Sequence, residues 1–348
     1  MNQKYNQNFE VTTGIVYFGT RDPIHYIYDL EEILTHHCNF VIHPVSEEDI
    51  DLYHKSLAEI FDITKKAGLV VIVQPWSFGN VFNGYGGSKF VLEHRECWQI
   101  LSNSQSVPAA CMNNPEFATF LKQWINRIVE LGADGIVWEN PHYYIFKNNN
   151  KLLQWGCWCN YCKKLYLQKF YHRLPKGIGE EIKLLNECTI ASFLKELCDY
   201  SKKKHLINIV CLSPIYAKNL SMSSWHLVCE IPTLDIFAAN AYWYYSQFNA
   251  DSFVKGVAKK LSSVCDEHKK KSQLWIQNFR IIAGEEKHIK RAIEICLNEK
   301  IDSLVGWSYY GSRVVSALRC QNPRVVWDIL GDMFKRFVHN NNSLRNSL

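Results

Sequence analysis

The strongest constraint on this chain is a repeated alternation of two kinds of segment. Eight short apolar runs, mostly β-branched or aromatic, recur along it: Gly14–Gly19, Asn39–His43, Leu69–Gln74, Asp134–Glu139, Ile207–Ser213, Leu234–Asn240, Gln273–Asn278 and Asp302–Trp307. Such runs suit strands buried on both faces. Helical stripes with start and stop signals lie between them. Ser46 precedes the acidic turn Glu47-Glu48-Asp49, and Ile50, Tyr53, Leu57 and Ile60 follow at helical spacing up to Gly68. Asn114-Pro115 opens another helix, with the stripe Phe117, Leu121, Trp124, Ile128 and Leu131 before Gly132. Gly284-Glu285-Glu286 precedes a third stripe of Ile289, Ala292, Ile293 and Cys296. Eight βα units predict an α/β fold, the (β/α)8 TIM barrel. A doubly wound open sheet is the competing arrangement. The first turn, Gly19-Thr20-Arg21-Asp22-Pro23, is not the G-x-G-x-x-G that such a sheet uses for phosphate.

The predicted boundaries are a flexible N-terminus over 1–10, one barrel domain over 11–335 and a loose tail over 336–348. Two excursions interrupt the alternation, Pro75 to Ala110 after strand 3 and a Cys-rich loop insertion over 140–178 after strand 4. With 47% apolar and 21% charged residues the chain can build a large core, which excludes general disorder. A net charge of +5 with no basic block argues against a nucleic-acid partner, and the lysine runs 202–204 and 269–271 read as solvated helix ends. No run reaches the about 18 apolar residues of a membrane span, and Met1 to Glu10 lacks the apolar core of a signal peptide. Thirteen scattered cysteines, an odd number, suggest thiols in a reducing, cytoplasmic setting. Homo-oligomerisation stays open.

A barrel's chemistry gathers where its strands end at their carboxyl side. Reading those ends in turn collects Arg21 and Asp22, His43, Gln74 and Trp76, the loop Asn80 to Gly87, Glu139, Asn140 and His142, Asn240 and Tyr242, Gln277 and Arg280, and Trp307. Aromatic faces with amides, carboxylates and Arg suit a sugar, which needs flat apolar surfaces and paired polar groups for its hydroxyls. Glu139 is the sharpest acid. It ends the apolar strand Gly135-Ile-Val-Trp138, and burial beside Trp138 would raise its pKa into the range useful for proton transfer. An ion pair with Arg21 or Arg280, or a metal shared with His43 and His142, are the alternatives for it.

Cys157-Trp-Cys159-Asn-Tyr-Cys162 places three thiols close enough to bind one tetrahedral zinc ion. Cys111, just before the helix leading into strand 4, is the candidate fourth ligand, with Cys97 as the other choice. With no open coordination position, such zinc is structural and staples the loop. Three unligated thiols are the plain alternative.

The order of a cysteine, a strand-4 carboxylate, a C-x-C-x2-C loop and the helix Lys163-Lys-Leu-Tyr166 resembles the family 42 glycoside hydrolases, retaining β-galactosidases with a clan A barrel. The resemblance implies a four-cysteine zinc site made of Cys111, Cys157, Cys159 and Cys162. The stretches Gln74 to Gly84, Trp138-Glu-Asn-Pro-His142 and Leu274 to Arg280 resemble more closely a family of glycoside-hydrolase-like barrels of unassigned activity. Clan A enzymes carry an acid Glu at the end of strand 4 and a nucleophilic Glu at the end of strand 7. The family's acid follows an Asn, whereas here the order is Glu139-Asn140-Pro141, so the first position aligns with Glu139 or with Asn140; the second is Gln277, which cannot attack an anomeric carbon.

The expected function is therefore cleavage of a glycosidic bond in a small or soluble carbohydrate. Glu139 is the expected acid and Asp22 the expected second carboxylate. Trp76, Tyr242 and Trp307 form the stacking walls, and Arg21, His43, Gln74, Asn140, His142, Asn240, Gln277 and Arg280 contact the substrate. A 2-acetamido substrate that supplies its own nucleophile is a second route. Two further readings are a non-catalytic carbohydrate-binding barrel and a barrel lyase or isomerase using His43 or His142.

Overall fold

The computed structural model describes residues 11–84, 86–148, 151–214, 222–246 and 249–345. The expected flexible segment 1–10 lies outside them. Eight parallel strands close into a ring in chain order: β1 (Thr13–Val16), β2 (Phe40–Val45), β3 (Val70–Pro75), β4 (Gly135–Glu139), β5 (Ile207–Leu212), β6 (Ile236–Ala241), β7 (Lys271–Gln277) and β8 (Ser303–Trp307), which pairs back onto β1. This is the (β/α)8 barrel, and each of its strands falls within or beside an apolar run identified above.

Period-two alternation sorts the strand residues into two cores. Phe40, Ile42, Val70, Ile72, Val137, Ile209, Ala238, Trp275 and Val305 fill the barrel interior. Val41, Val71, Ile136, Val210, Phe237, Leu274 and Leu304 face the surrounding helices. The interior parity continues into polar residues at the carboxyl ends: Gln74 after Ile72, Glu139 after Val137, Asn240 after Ala238 and Gln277 after Trp275, all four buried. The barrel thus delivers amides and one acid to the floor of its mouth.

The two excursions knit together. The hairpin Trp98–Ile100 with Ser106–Ala110 and the hairpin Ile145–Asn148 with Lys151–Trp155 meet through the Leu101–Gly156 bridge, Ser102 N–H to Trp155 O at 3.0 Å and Trp158 N–H to Ile100 O at 2.7 Å. The insertion read as a loop therefore holds a hairpin and a helix (Asn160–Phe170), and its Trp155, Tyr166 and Leu174 share a small core with Ile182 and Leu185 of the helix that follows, Glu180–Lys202.

Two expectations change. The stripe beginning at Ile50 is two helices, Glu47–Leu52 and His54–Lys66, the first closed by a reciprocal Ser46–Asp49 capping box. The tail from 336 is not loose where it is described. The last helix runs Pro323–Arg345, because Phe337 extends the buried stripe of Val326, Leu330 and Phe334 by another turn.

Candidate active site

A cavity of about 700 Å³ opens at the carboxyl mouth of the barrel, and Glu139 lies in its wall. Both carboxylate oxygens meet amides. Gln74 Nε2 donates to Oε2 at 2.5 Å, Asn83 Nδ2 to Oε1 at 3.1 Å and Asn140 Nδ2 to Oε1 at 3.5 Å, and Asn240 donates as well. Burial pushes the Glu139 carboxyl up to about 7 against the pull of these donors. The neighbour Trp138 is not the cause. Its opposite strand parity turns it outward, into the layer between barrel and helices with Trp124 and Phe82.

The walls are aromatic. Trp76 meets Phe18 at 5.0 Å between ring centroids, Phe18 meets Trp307 at 5.3 Å, and Trp307 meets Phe279 at 5.1 Å, with Tyr242 5.1 Å from Phe279. Asn83 reaches the acid because its loop folds tightly: Ser77 N–H donates to Asn83 O at 3.0 Å, and a Cβ on Gly84 would sit 1.8 Å from Ser77 Oγ. His142 shares the cavity. It is held neutral by burial, and its Nδ1 lies 2.9 Å from Asn140 O, which assigns that nitrogen the proton and leaves Nε2 as the acceptor. Asn140 adopts a left-handed backbone (φ 45) and accepts from Ser213 N–H through Oδ1, tying the end of β4 to the end of β5.

Of the expected site residues, Glu139, Trp76, His142, Asn240, Tyr242 and Trp307 line the cavity, and Gln74 and Asn140 support the acid from behind. The other five do not line it. Asp22 is exposed and caps the helix Pro23–Thr35 by accepting from Ile24 N–H at 2.9 Å. Arg21 is committed to Asp49 at 2.9 and 3.0 Å and to Pro44 O at 2.8 Å. His43 has outward parity and is wholly buried against Tyr17, Tyr26 and Phe61, with burial driving its pKa down to about 3. Neither it nor Arg21 pairs with Glu139. Arg280 turns its guanidinium over Tyr244 at 4.9 Å while Nε donates to Ala317 O at 3.0 Å. Gln277 is buried at the end of β7 with its amide engaged by backbone, accepting from Tyr244 N–H at 2.8 Å and donating to Phe279 O at 3.0 Å. Glu139 is the one carboxylate among the described residues that line the cavity. Asn83, Phe279 and Tyr245 were missed as individual contacts. Asn83 sits in the glycine-rich loop already marked, whereas Phe279 and Tyr245 lie just past strand ends, where parity no longer assigns a direction.

The four cysteines converge. The sulfurs of Cys111, Cys157, Cys159 and Cys162 all lie within 4.8 Å of one another, with Cys111 Sγ 3.5 Å from both Cys159 and Cys162. Four thiolates at Zn–S distances of about 2.3 Å around a tetrahedral ion stand roughly 3.8 Å apart, so the cluster fits a metal of that kind. Asn113 Nδ2 donates to Cys162 Sγ at 3.2 Å and Cys159 N–H to Cys157 Sγ at 3.4 Å, the outer contacts a bound thiolate uses. Hydrogen bonds from Cys111, then Cys157 and Cys162, pull the Cys159 thiol well below its usual range. Cys97 stands apart, with its thiol 3.2 Å from Glu116 Oε2. Tyr143 is buried, lies within electrostatic reach of Cys162, Cys111 and Cys157, and directly follows the cavity residue His142, so one short segment links the neighbourhood of the cluster to the cavity.

No protein-family model and no curated protein matches the chain. Solved structures do. An endo-1,4-β-mannanase from Rhizomucor miehei is 8% identical and superposes with a TM-score of 0.64, over 96% of this chain and 96% of that one. The catalytic domain of a β-amylase from Paenibacillus polymyxa is 7% identical with a TM-score of 0.60, over 87% and 93% of the two chains. The PgaB glycoside hydrolase domain from Bordetella bronchiseptica is 10% identical with a TM-score of 0.58, over 92% and 99%. At these identities the likeness is one of fold: the chain shares its closed eight-stranded barrel with known glycoside hydrolases.

Proposed function

We propose that this protein binds a carbohydrate in the barrel mouth and cleaves a glycosidic bond with Glu139 as proton donor. The observation that carries the reading is one acid, raised to about 7, set in an aromatic-walled cavity at the carboxyl ends of the strands. A carboxyl in that range is half protonated near neutrality, which suits donation to a departing sugar oxygen. Hydroxyl contacts fall to Asn83, Asn240 and Ser213, and stacking to Trp76, Tyr242 and Trp307. Double displacement on a protein carboxylate needs a second acid close by. With Gln277 engaged by backbone and Asp22 capping a helix, the nucleophile in this reading is water or a substituent of the sugar itself. The test is hydrolysis of a panel of aryl glycosides by the wild-type protein and by Glu139→Gln. Turnover that survives in the variant removes Glu139 from the chemistry.

A second reading is acid–base chemistry of the lyase or isomerase kind, favoured by the neutral His142 in the same cavity with Nε2 as its acceptor. Binding of sugars with no product formed would instead favour a carbohydrate-binding barrel. The cysteine cluster is proposed to hold one structural zinc ion through Cys111, Cys157, Cys159 and Cys162. A reducing, cytoplasmic setting is proposed from the odd, scattered set of thirteen cysteines in the sequence. No helix among the described residues is long and apolar enough to cross a membrane.

A further inference from the structure

The aromatic wall does not stop at the cavity. From Trp307 it continues to Phe279 at 5.1 Å, from Phe279 to Tyr245 at 6.1 Å, and from Tyr245 to Tyr244 at 5.0 Å. Exposure climbs along this series, from 7% at Trp307 and 2% at Phe279 to 43% at Tyr245 and 51% at Tyr244. The ladder thus leads from the floor of the cavity to open surface.

Tyr244 and Tyr245 form an adjacent pair of exposed rings that continues the aromatic lining of the cavity. These two are held rather than free to collapse. Tyr244 is fixed from below by the Gln277 Oε1 contact to its N–H at 2.8 Å, and the Arg280 guanidinium lies over its ring at 4.9 Å. The same Gln277 amide holds Phe279 O at 3.0 Å, so one buried side chain sets the spacing of two rungs. The amide cannot be replaced by an ionised carboxylate there, since the bracket needs an acceptor and a donor at once. The glutamine amide supplies both at the end of β7.

On the reading that the cavity takes a sugar, we infer that Tyr245 at the cavity rim hands on to Tyr244 as an outer binding position, and that the substrate is a chain of linked sugars running out over the loops that follow β6 and β7, rather than a small glycoside. Gln277 is a positioning residue for this track. The rings turn from rung to rung, by 77° from Trp307 to Phe279, 41° from Phe279 to Tyr245 and 90° from Tyr245 to Tyr244, so each offers its free apolar surface in a different direction along the path outward.

The experiment is calorimetric binding of β-1,4-linked manno-, gluco- and chito-oligosaccharides and of α-1,4-linked gluco-oligosaccharides, from disaccharides to pentasaccharides. The proteins are full-length Glu139→Gln, which suppresses turnover, and the same chain with Tyr244→Ala added. In the parent, affinity in the preferred series rises about tenfold or more with length, as expected of one or two added stacking contacts. In the tyrosine variant this gain flattens to less than about threefold, while the disaccharide binds as before and the near-ultraviolet circular dichroism still reports a folded barrel. Affinity independent of length in the parent, an unchanged gain in the variant, or an equal loss at every length overturns the ladder and leaves the cavity reading standing. Failure of every sugar to bind overturns both.

Discussion

Gln277 bridges Tyr244 and Phe279, accepting from the one at 2.8 Å and donating to the other at 3.0 Å from a fully buried amide. Gln277→Glu should damage this bracket at neutral pH, where a carboxylate cannot donate, and recover it in acid, where a carboxyl both donates and accepts. The introduced acid is buried and faces a carbonyl, so its folded pKa lies above the unfolded value of about 4.3. Its favourable contribution is complete below that unfolded value and is lost as pH rises through the folded one. The gap in melting temperature between wild type and variant should therefore widen from about pH 4 to about pH 8. A gap independent of pH would refute the bracket.

Glu139 as proton donor predicts a loss of roughly 10²–10⁴-fold in kcat for Glu139→Gln on whichever glycoside is turned over. In the wild type, kcat should fall as pH rises through about 7, since the donor must be protonated. Steady-state kinetics between about pH 5 and about pH 9 measure both. A profile that instead rises with pH through this window would point to a base, with His142 the nearest choice.

The same acid links stability to pH. Its folded pKa of about 7 exceeds the ordinary 4.5, so the protein is favoured below the lower value and gives up roughly 3 kcal/mol as pH climbs through the higher one. Glu139→Gln has nothing to ionise at this position. By scanning calorimetry, the stability of the variant relative to wild type should rise between about pH 5 and about pH 8. A constant difference would mean the acid titrates normally.

Elemental analysis should find about one zinc ion per chain, bound by the four cysteines. Stripping it with a strong chelator, or replacing Cys159 with serine, should lower the melting temperature. Because His142 and Tyr143 are adjacent, it should also weaken sugar binding without shifting the pH profile of turnover. A metal-free protein of undiminished stability would end the zinc assignment.

The ring of strands was readable because each βα unit carries its own signals: a β-branched run, a cap and an apolar stripe. Parity was also readable, and it settles more than was taken from it. His43 follows the interior residue Ile42, so it faces outward, and counting by twos from Ile42 removes it from the mouth. Glu139, Gln74 and Asn240 share the interior parity and do meet. What the sequence hides is where a side chain goes once the strand has ended. Asp22 and Arg21 lie past the last residue of β1, where capping of a helix and the carboxylate of Asp49 take them over. The cysteine spacing was legible because three of the ligands are local. Joining Cys111 to them required two excursions to pair through Leu101 and Gly156, a contact between segments far apart in the chain.

The acid and its amides, Gln74, Glu139 and Asn240, stand on strand termini locked into the closed ring, whereas Tyr244, Tyr245 and Phe279 stand on the connections beyond β6 and β7. Frame and fringe are thereby given separate tasks. If the proposed function holds, a few connecting residues can be rewritten to suit a different saccharide while the floor of acid and amides is inherited unaltered.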